Sequence, residues 1–311
     1  MLTSFDEDPT LTDVAVPSPG PQEVRVRVLA SSVNPADWMT ARGGFRSVYE
    51  HRLPAILGRD FAGVVDAIGS GVTRFDVGDE VFGFVKRDYV GDGTFADYVV
   101  IPEDQFAVPV PPSLSLDNAG ALGLAGVTAV QCLDALGCDA GDTVLVNGAT
   151  GGVGAFAIQL ARRRGLHVIA TATAGEADAH VRALGAETTV DWTAGDVGAQ
   201  VHASCPDGVA GVVDLASKES ASMTALAAAV LAPGRTSVST LSAAPSSGQT
   251  AGARLLNIHS SGDPDLLTRV AEAADDGMVV PLVDAFPLER IDDAFAALAR
   301  APLGKLGLRV A

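Results

Sequence analysis

The sequence predicts an α/β protein of two parts, a small β-barrel followed by a doubly wound parallel sheet. Three observations predict it. Residues 56–85 are short apolar runs broken by glycine at close intervals, the spacing of a tightly turned barrel rather than of a helix layer. Pro102, Pro109, Pro111 and Pro112 mark a break in composition. Beyond them helical and strand patterns alternate, the order that builds a parallel sheet covered by helices. A chain of 311 residues is long enough for two such cores.

In the first part, Pro17-Ser18-Pro19-Gly20-Pro21 is a rigid turn, and Val24-Arg25-Val26-Arg27-Val28 alternates as a half-exposed strand does. Asn34-Pro35-Ala36-Asp37-Trp38 predicts a short helix with proline near its start. An irregular segment with Gly43, Gly44, Phe45 and Tyr49 follows, and residues 93–100 continue the barrel. In the second part, residues 117–136 are helical. Val144-Leu145-Val146 is a strand, and a glycine turn runs from Gly148 through Gly151, Gly152 and Gly154. The helix after it ends in Arg162-Arg163-Arg164 and Gly165, which suit the negative end of the helix dipole and a left-handed cap. Strands follow at 167–172, 188–190, 209–214, 234–239 and 254–260. Helices lie between them at 176–184 and 219–231, and another at 265–276. Residues 281–311 return to strand, helix, strand and dock back on the first part. No internal repeat or low-complexity tract is present.

The net charge of −17 repels nucleic acid and anionic lipid, so neither is an expected partner. No run of eighteen uncharged apolar residues is present, and the first ten residues are acidic where a signal peptide is basic and then apolar. The three cysteines, Cys132, Cys138 and Cys205, form no disulfide framework. A cytoplasmic protein is the expectation.

Strand, glycine turn and helix together present bare N–H groups and a helix N-terminus to a phosphate. Residues 149–154 match the dinucleotide fingerprint, with alanine for its first glycine. Ala149, Thr150, Gly151, Gly152 and Val153 are therefore candidate cofactor contacts. A protein that prefers NAD places Asp or Glu at the end of the second strand, for the ribose 2′-hydroxyl. Here Ala170-Thr171-Ala172-Thr173-Ala174-Gly175 has no acid until Glu176. Thr171 and Thr173 are candidate donors to a 2′-phosphate, with Arg182 one helix further along. This pattern favours NADP(H) over NAD.

Several motifs now fall in one order: Ser32-Val33-Asn34-Pro35-Ala36-Asp37, LPAILGRDFAGVV, GSGVTRFDVGDEVFG, GTFADYVV, Gly126-Val127-Thr128-Ala129, NGATGGVG, Leu184-Gly185-Ala186 and Gly304-Lys305. In these the chain resembles the zinc-free quinone oxidoreductases of the medium-chain dehydrogenase/reductase superfamily. The resemblance implies a GroES-like catalytic domain at 1–117 and a Rossmann NADP-binding domain at 118–277. It implies a C-terminal return at 278–311, and a cofactor in the cleft between the domains. It further implies that Asn34 and Thr128 sit near nicotinamide and substrate, and that Ser217, Leu241 and Lys305 join the cofactor contacts. The lysine that many relatives use on the 2′-phosphate falls at Ala177. The tyrosine that often follows the third strand's aspartate is Trp192.

Zinc-dependent relatives place Cys near Asn34 and a His-Glu pair where this chain has Arg59-Asp60; residues 75–100 lack the four cysteines of a structural zinc lobe. No metal is expected. Without a Lewis acid, hydride transfer to an acceptor that is already electron-poor is the accessible chemistry. The first expectation is NADPH-dependent reduction of a quinone, and the alternative is reduction of an enone or enoyl C=C bond. A third reading is a nicotinamide-binding protein with little catalysis. Tyr49 is the candidate proton donor, and Trp38, Phe45 and Tyr49 form a candidate aromatic wall. Loops at 38–52, 86–93 and 242–252 select the acceptor. Residues 254–259 form a candidate outer strand through which the chain pairs as a homodimer.

Overall fold

The computed structural model describes residues 1–250 and 252–310. Ala251, inside the expected acceptor loop 242–252, and Ala311, the end of the expected C-terminal segment, lie outside the described residues.

The chain begins with β1 (Glu23–Val33), α1 (Pro35–Ala41), β2 (Glu50–His51), β3 (Asp60–Ile68), β4 (Glu80–Phe84), β5 (Tyr89–Val90), β6 (Tyr98–Pro102) and β7 (Ala107–Pro109). Helices α2 (Leu116–Ala119) and α3 (Gly123–Leu136) follow. Then come β8 (Thr143–Asn147), α4 (Gly152–Arg163), β9 (His167–Thr171), α5 (Glu176–Ala183), β10 (Thr188–Val190), α6 (Val197–Ser204), β11 (Val209–Asp214), α7 (Ser220–Val230), β12 (Leu231–Ser239), β13 (Gln249–Thr250), β14 (Ala253–Asn257) and α8 (Pro264–Asp275). The return is β15 (Leu282–Pro287), a 3₁₀ turn at Leu288–Arg290, α9 (Ile291–Leu298) and β16 (Lys305–Arg309).

The chain folds as two compact units. The first joins residues 1–124 to 261–311, and the second is 125–260. These limits differ from the expected boundaries at 117/118 and 277/278. The α2 helix packs on β1 and β3, and α8 packs on β7, so both belong to the first unit. Their amphipathic patterns announce helices but not the sheet that each one covers.

In the first unit β1 is the central strand. It pairs with β3 along 24–30, with β6 along 23–27 and with β16 along 30–33. The seven-stranded sheet runs β15–β16–β1–β3–β4–β7, with β6 joined to β1. The arginines of Val24–Val28 alternate with valines that face the core. From Ala30 onward the strand is buried continuously. The C-terminal return therefore completes the first unit through the β1–β16 pair, as the sequence predicts. The two sheets are those of the expected fold class, a small antiparallel-centred first domain and a parallel second one.

The second unit holds a sheet ordered β10–β9–β8–β11–β12–β14–β13, parallel except for the last pair. The β-branched runs of β8 and β11 are buried, as strands covered on both faces must be. Helix α6 is absent from the sequence reading. It is short and carries Gly198, and its best signal is the Asp196 cap, which accepts the Ala199 N–H at 2.7 Å. The expected outer strand is not a bare edge. Segment 244–250 lies along β14, with Leu255 N–H donating to Gly248 C=O at 2.9 Å and Ala244 N–H to Asn257 Oδ1 at 2.9 Å. Among the described residues no helix is long and apolar enough to cross a membrane.

Candidate active site

In the second unit the strand order reverses direction at β8 and β11, whose neighbouring carboxyl ends form the topological switch point. Ligands of open α/β sheets bind outside such a point. A chain of side-chain bonds crosses it. The Gly148 N–H donates to Thr171 Oγ1 at 2.9 Å, and that hydroxyl donates to Asn147 Oδ1 at 3.2 Å. Asn147 Nδ2 donates to Asp214 Oδ1 at 2.9 Å, which also accepts the Ala216 and Ser217 N–H groups at 3.1 and 3.0 Å. Asp214 Oδ2 is buried without a partner among the described residues, an acceptor beside this crevice.

The glycine turn fits a phosphate cradle. Gly151 caps α4 with φ −81°, and a Cβ built on it meets nothing within 4 Å, so its backbone faces open space. Gly154 does the opposite job. A Cβ there would stand 2.5 Å from the Ala149 carbonyl oxygen, so only glycine lets the helix lie this close to the strand. Ala149 is fully buried where the fingerprint's first glycine stands, and Thr150, Gly152 and Val153 are half-buried on the turn.

Two expected phosphate ligands are otherwise engaged. Thr171 is buried and its hydroxyl is used between Gly148 and Asn147. The Arg182 guanidinium bonds to Asp178 at 3.0 Å, to Glu187 C=O at 3.1 Å and to Thr189 Oγ1 at 2.6 Å. In this structure both groups direct their donors inside the fold. Thr173 remains half-exposed at the turn after β9. Ser217 is buried on the loop after β11, and Leu241 is exposed after β12, its N–H donating to Ser239 Oγ at 3.1 Å. Thr128 lies buried on α3 in the second unit.

In the first unit the structure brings Asn34 and Lys305 together from opposite ends of the chain. The Lys305 ammonium donates to Asn34 Oδ1 at 2.7 Å and to Asp60 Oδ2 at 3.3 Å. Asn34 Nδ2 donates to the same Asp60 oxygen at 2.8 Å, and Ser32 Oγ at 2.5 Å. Asp60 Oδ1 accepts the Leu124 N–H at 2.7 Å. Lys305 is the cation of this buried cluster, with 4% of its side chain exposed against 0% for Asp60. Asp60 has no role of its own in the sequence reading, because its side-chain partners come from three separate segments, 32–34, 124 and 305. Asp37 closes the group. It accepts the Asn34 N–H at 2.9 Å and lies 3.9 Å from Arg59 Nε. Burial pushes its carboxyl up to about 6, against the pull of Arg59.

Tyr49 lines a small cavity of about 40 Å³ with Asp37, Thr40, Arg59 and Arg87, room for a water or two. Its ring meets Phe45 edge-on, with centroids 6.0 Å apart. Trp38 leaves the expected aromatic wall, since it packs on the core of the first unit beneath the Arg42 guanidinium.

Zinc does not fit this cluster. The cluster offers an amide and an ammonium but no thiolate or imidazole, and the ammonium already satisfies Asp60. Among the described residues no three His, Cys, Asp or Glu side chains are grouped to hold a metal ion.

Residues 20–112 match the alcohol dehydrogenase GroES-like domain, and residues 152–279 match the zinc-binding dehydrogenase domain. The solved structure of an NAD-dependent alcohol dehydrogenase is 30% identical with a TM-score of 0.86, over 96% of this chain and 95% of that one. The chloroplastic quinone-oxidoreductase homolog of Spinacia oleracea is 36% identical over 58% of this chain and 55% of that protein. A trans-enoyl reductase of Aspergillus flavipes is 35% identical over 60% of this chain and 56% of that protein. The matched segment thus spans about half the length of these curated relatives. The chain belongs to the medium-chain dehydrogenase/reductase superfamily.

Proposed function

We propose that this chain reduces a quinone by hydride transfer from a nicotinamide cofactor, without a metal ion. The observation that carries the reading is the Lys305–Asn34–Asp60 cluster, a buried amide, carboxylate and ammonium with no thiolate or imidazole among them. Alcohol oxidation needs a group that lowers the alcohol pKa, and this donor set offers none. A quinone needs only orientation and a donor for the oxyanion that develops on reduction.

The cofactor, when bound, supplies the hydride. The open backbone at Gly151 and the N-terminus of α4 receive its diphosphate. Asn34 is held rigid by Lys305 and Asp60, so its amide is an oriented group rather than a mobile one. Tyr49, which lines the small cavity, is the proposed proton donor to the reduced acceptor. A second reading, reduction of an activated C=C bond, is favoured by the likeness to a trans-enoyl reductase.

A panel assay that follows reduced-nicotinamide absorbance separates these readings. Turnover of 1,4-benzoquinone, with none of an alkenal or crotonyl thioester, is the expected result. Turnover of the alkenal or thioester alone establishes the second reading. Tight nucleotide binding with no acceptor reduced would reject both and leave a binding protein.

A further inference from the structure

A larger hollow lies beside the Tyr49 cavity in the first unit. It has about 600 Å³ of space and opens to solvent, a size that suits a small-molecule ligand. Its walls include Tyr49, Lys86, Arg87, Phe106 and the start of α8. All of these lie within the first unit. Tyr49 and Arg87 line the small cavity as well, so the two spaces share a wall. Phe106 is held at φ 70°, a conformation that side chains rarely adopt. Its N–H donates to the Gly262 carbonyl at 3.3 Å, and a Cβ on Gly262 would stand 2.1 Å from its ring. Backbone strain of this kind persists where the surrounding structure enforces it, and it collects at ligand sites.

Two cations of an otherwise acidic chain line this hollow. Burial and the Arg59 guanidinium hold the Lys86 ammonium below the usual lysine range. An anion beside it would offset both effects. Arg87 Nη2 donates to the Val100 carbonyl at 2.7 Å, and its Nε is buried without a partner among the described residues. A guanidinium fork with donors to spare suits a carboxylate or a sulfonate. Two carboxylates also line the hollow. Asp88 is exposed, so water screens it. Asp263 caps α8, its Oδ1 accepting the Asp265 N–H at 2.9 Å. Arg59 itself faces Asp37.

We propose that this hollow receives the far end of the acceptor and selects a flat quinone that bears an anionic group, a ring carboxylate or sulfonate, held by Lys86 and Arg87. The reducible carbonyl then points to Tyr49 on the shared wall. A neutral quinone would leave the Lys86 ammonium half-buried beside a second cation, whereas an anionic one pairs with it. The net charge of −17 repels an anionic acceptor at long range, so its binding depends on these local cations. This assignment rests on the quinone reading above and narrows it to one acceptor class.

Two measurements on the full chain test this. The first is kcat/KM for 1,4-naphthoquinone and for its 2-sulfonate, followed by reduced-nicotinamide absorbance. Lys86→Met and Arg87→Met should each lower the ratio of sulfonate to parent by about fivefold or more. Comparing that ratio between variants removes the difference in reduction potential of the two acceptors. Asp88→Asn removes an exposed carboxylate and should raise the ratio by about twofold, a gain that misfolding does not produce. The second is fluorescence titration with naphthalene-2-sulfonate, which is not reduced, against 2-naphthol. The sulfonate should bind the unaltered chain more tightly, and Lys86→Met should remove that preference. Unchanged ratios in both methionine variants overturn the proposal, as does equal binding of the two naphthalenes, while turnover of the parent quinone would leave the quinone reading intact. Turnover of crotonyl-coenzyme A that depends on Lys86 and Arg87, with no such dependence for the sulfonate, would assign the cations to thioester phosphates and overturn it too. Charge-dependent binding of the naphthalenes with no quinone reduced would keep the anion site but overturn its assignment to a quinone.

Discussion

Asp37 is where burial and hydrogen bonding oppose each other most clearly. The side chain is buried, which disfavours its charge, while Arg59 and the Asn34 donors favour it and Asp60 disfavours it again. Burial wins, and the carboxyl titrates near 6 rather than at 3.8. The folded state therefore holds a proton that the unfolded chain loses at lower pH. The contribution of Asp37 to stability is full below about pH 4 and is lost as the pH rises through 6. Asp37→Asn abolishes the titration but keeps an acceptor for the Asn34 N–H. Urea unfolding of both proteins should show wild-type stability falling relative to the variant between pH 4 and 6.5, by about 2–3 kcal/mol at most. A difference that stays flat across that window would show that Asp37 is charged in the fold. The Lys305–Asp60 pair beside it is different: two charges buried together, each satisfied by the other and by Asn34 or Ser32. Such a pair specifies one arrangement more than it adds net stability.

At the scale of the element, two glycines three residues apart answer to different demands. Gly154 is required by packing, since a Cβ would collide with the Ala149 backbone. Gly151 is not, since a Cβ would enter open space and its φ of −81° suits any residue. Gly154→Ala should cost about 1–3 kcal/mol by overpacking, with a matching fall in the thermal midpoint. Gly151→Ala should leave that midpoint within a degree or two of wild type, yet weaken nucleotide binding by about tenfold or more, because the methyl occupies the diphosphate's place. Unchanged nucleotide affinity in Gly151→Ala would remove the cradle from this turn. The fingerprint's missing first glycine is harmless for a related reason: the small Ala149 side chain is accommodated in full burial at the start of the turn.

For the whole molecule, the homodimer expectation rested on a bare outer strand. That strand is covered by segment 244–250, which takes up the Leu255 N–H and the Asn257 side chain. Pairing through β14 would require this segment to leave. Static light scattering at micromolar protein should therefore give the mass of one chain. A doubled mass would mean that another surface pairs the copies. The net charge of −17 acts in the same direction, because like-charged copies repel each other at low salt.

The sequence by itself determined the two-layer plan and the order of nearly every element. Hydrophobic period, proline breaks and glycine turns are local signals, and β1, α1, β8, α4, β9 and β16 all follow from them. It also announced the glycine turn before α4, because the fingerprint is contiguous. The tertiary structure decided which side chains meet. Lys305 and Asn34 are separated by most of the chain, and no spacing rule joins them through Asp60. Thr171 and Arg182 read as free donors along the chain, whereas in the fold Asn147, Asp178 and Thr189 engage them. The Ala174 N–H finds the Asp191 carboxylate only because the sheet lays β10 beside β9. The physical reason is the same each time. Secondary structure is set by neighbours within a few residues, while the partner of a polar side chain is set by whichever distant strand the sheet brings alongside it.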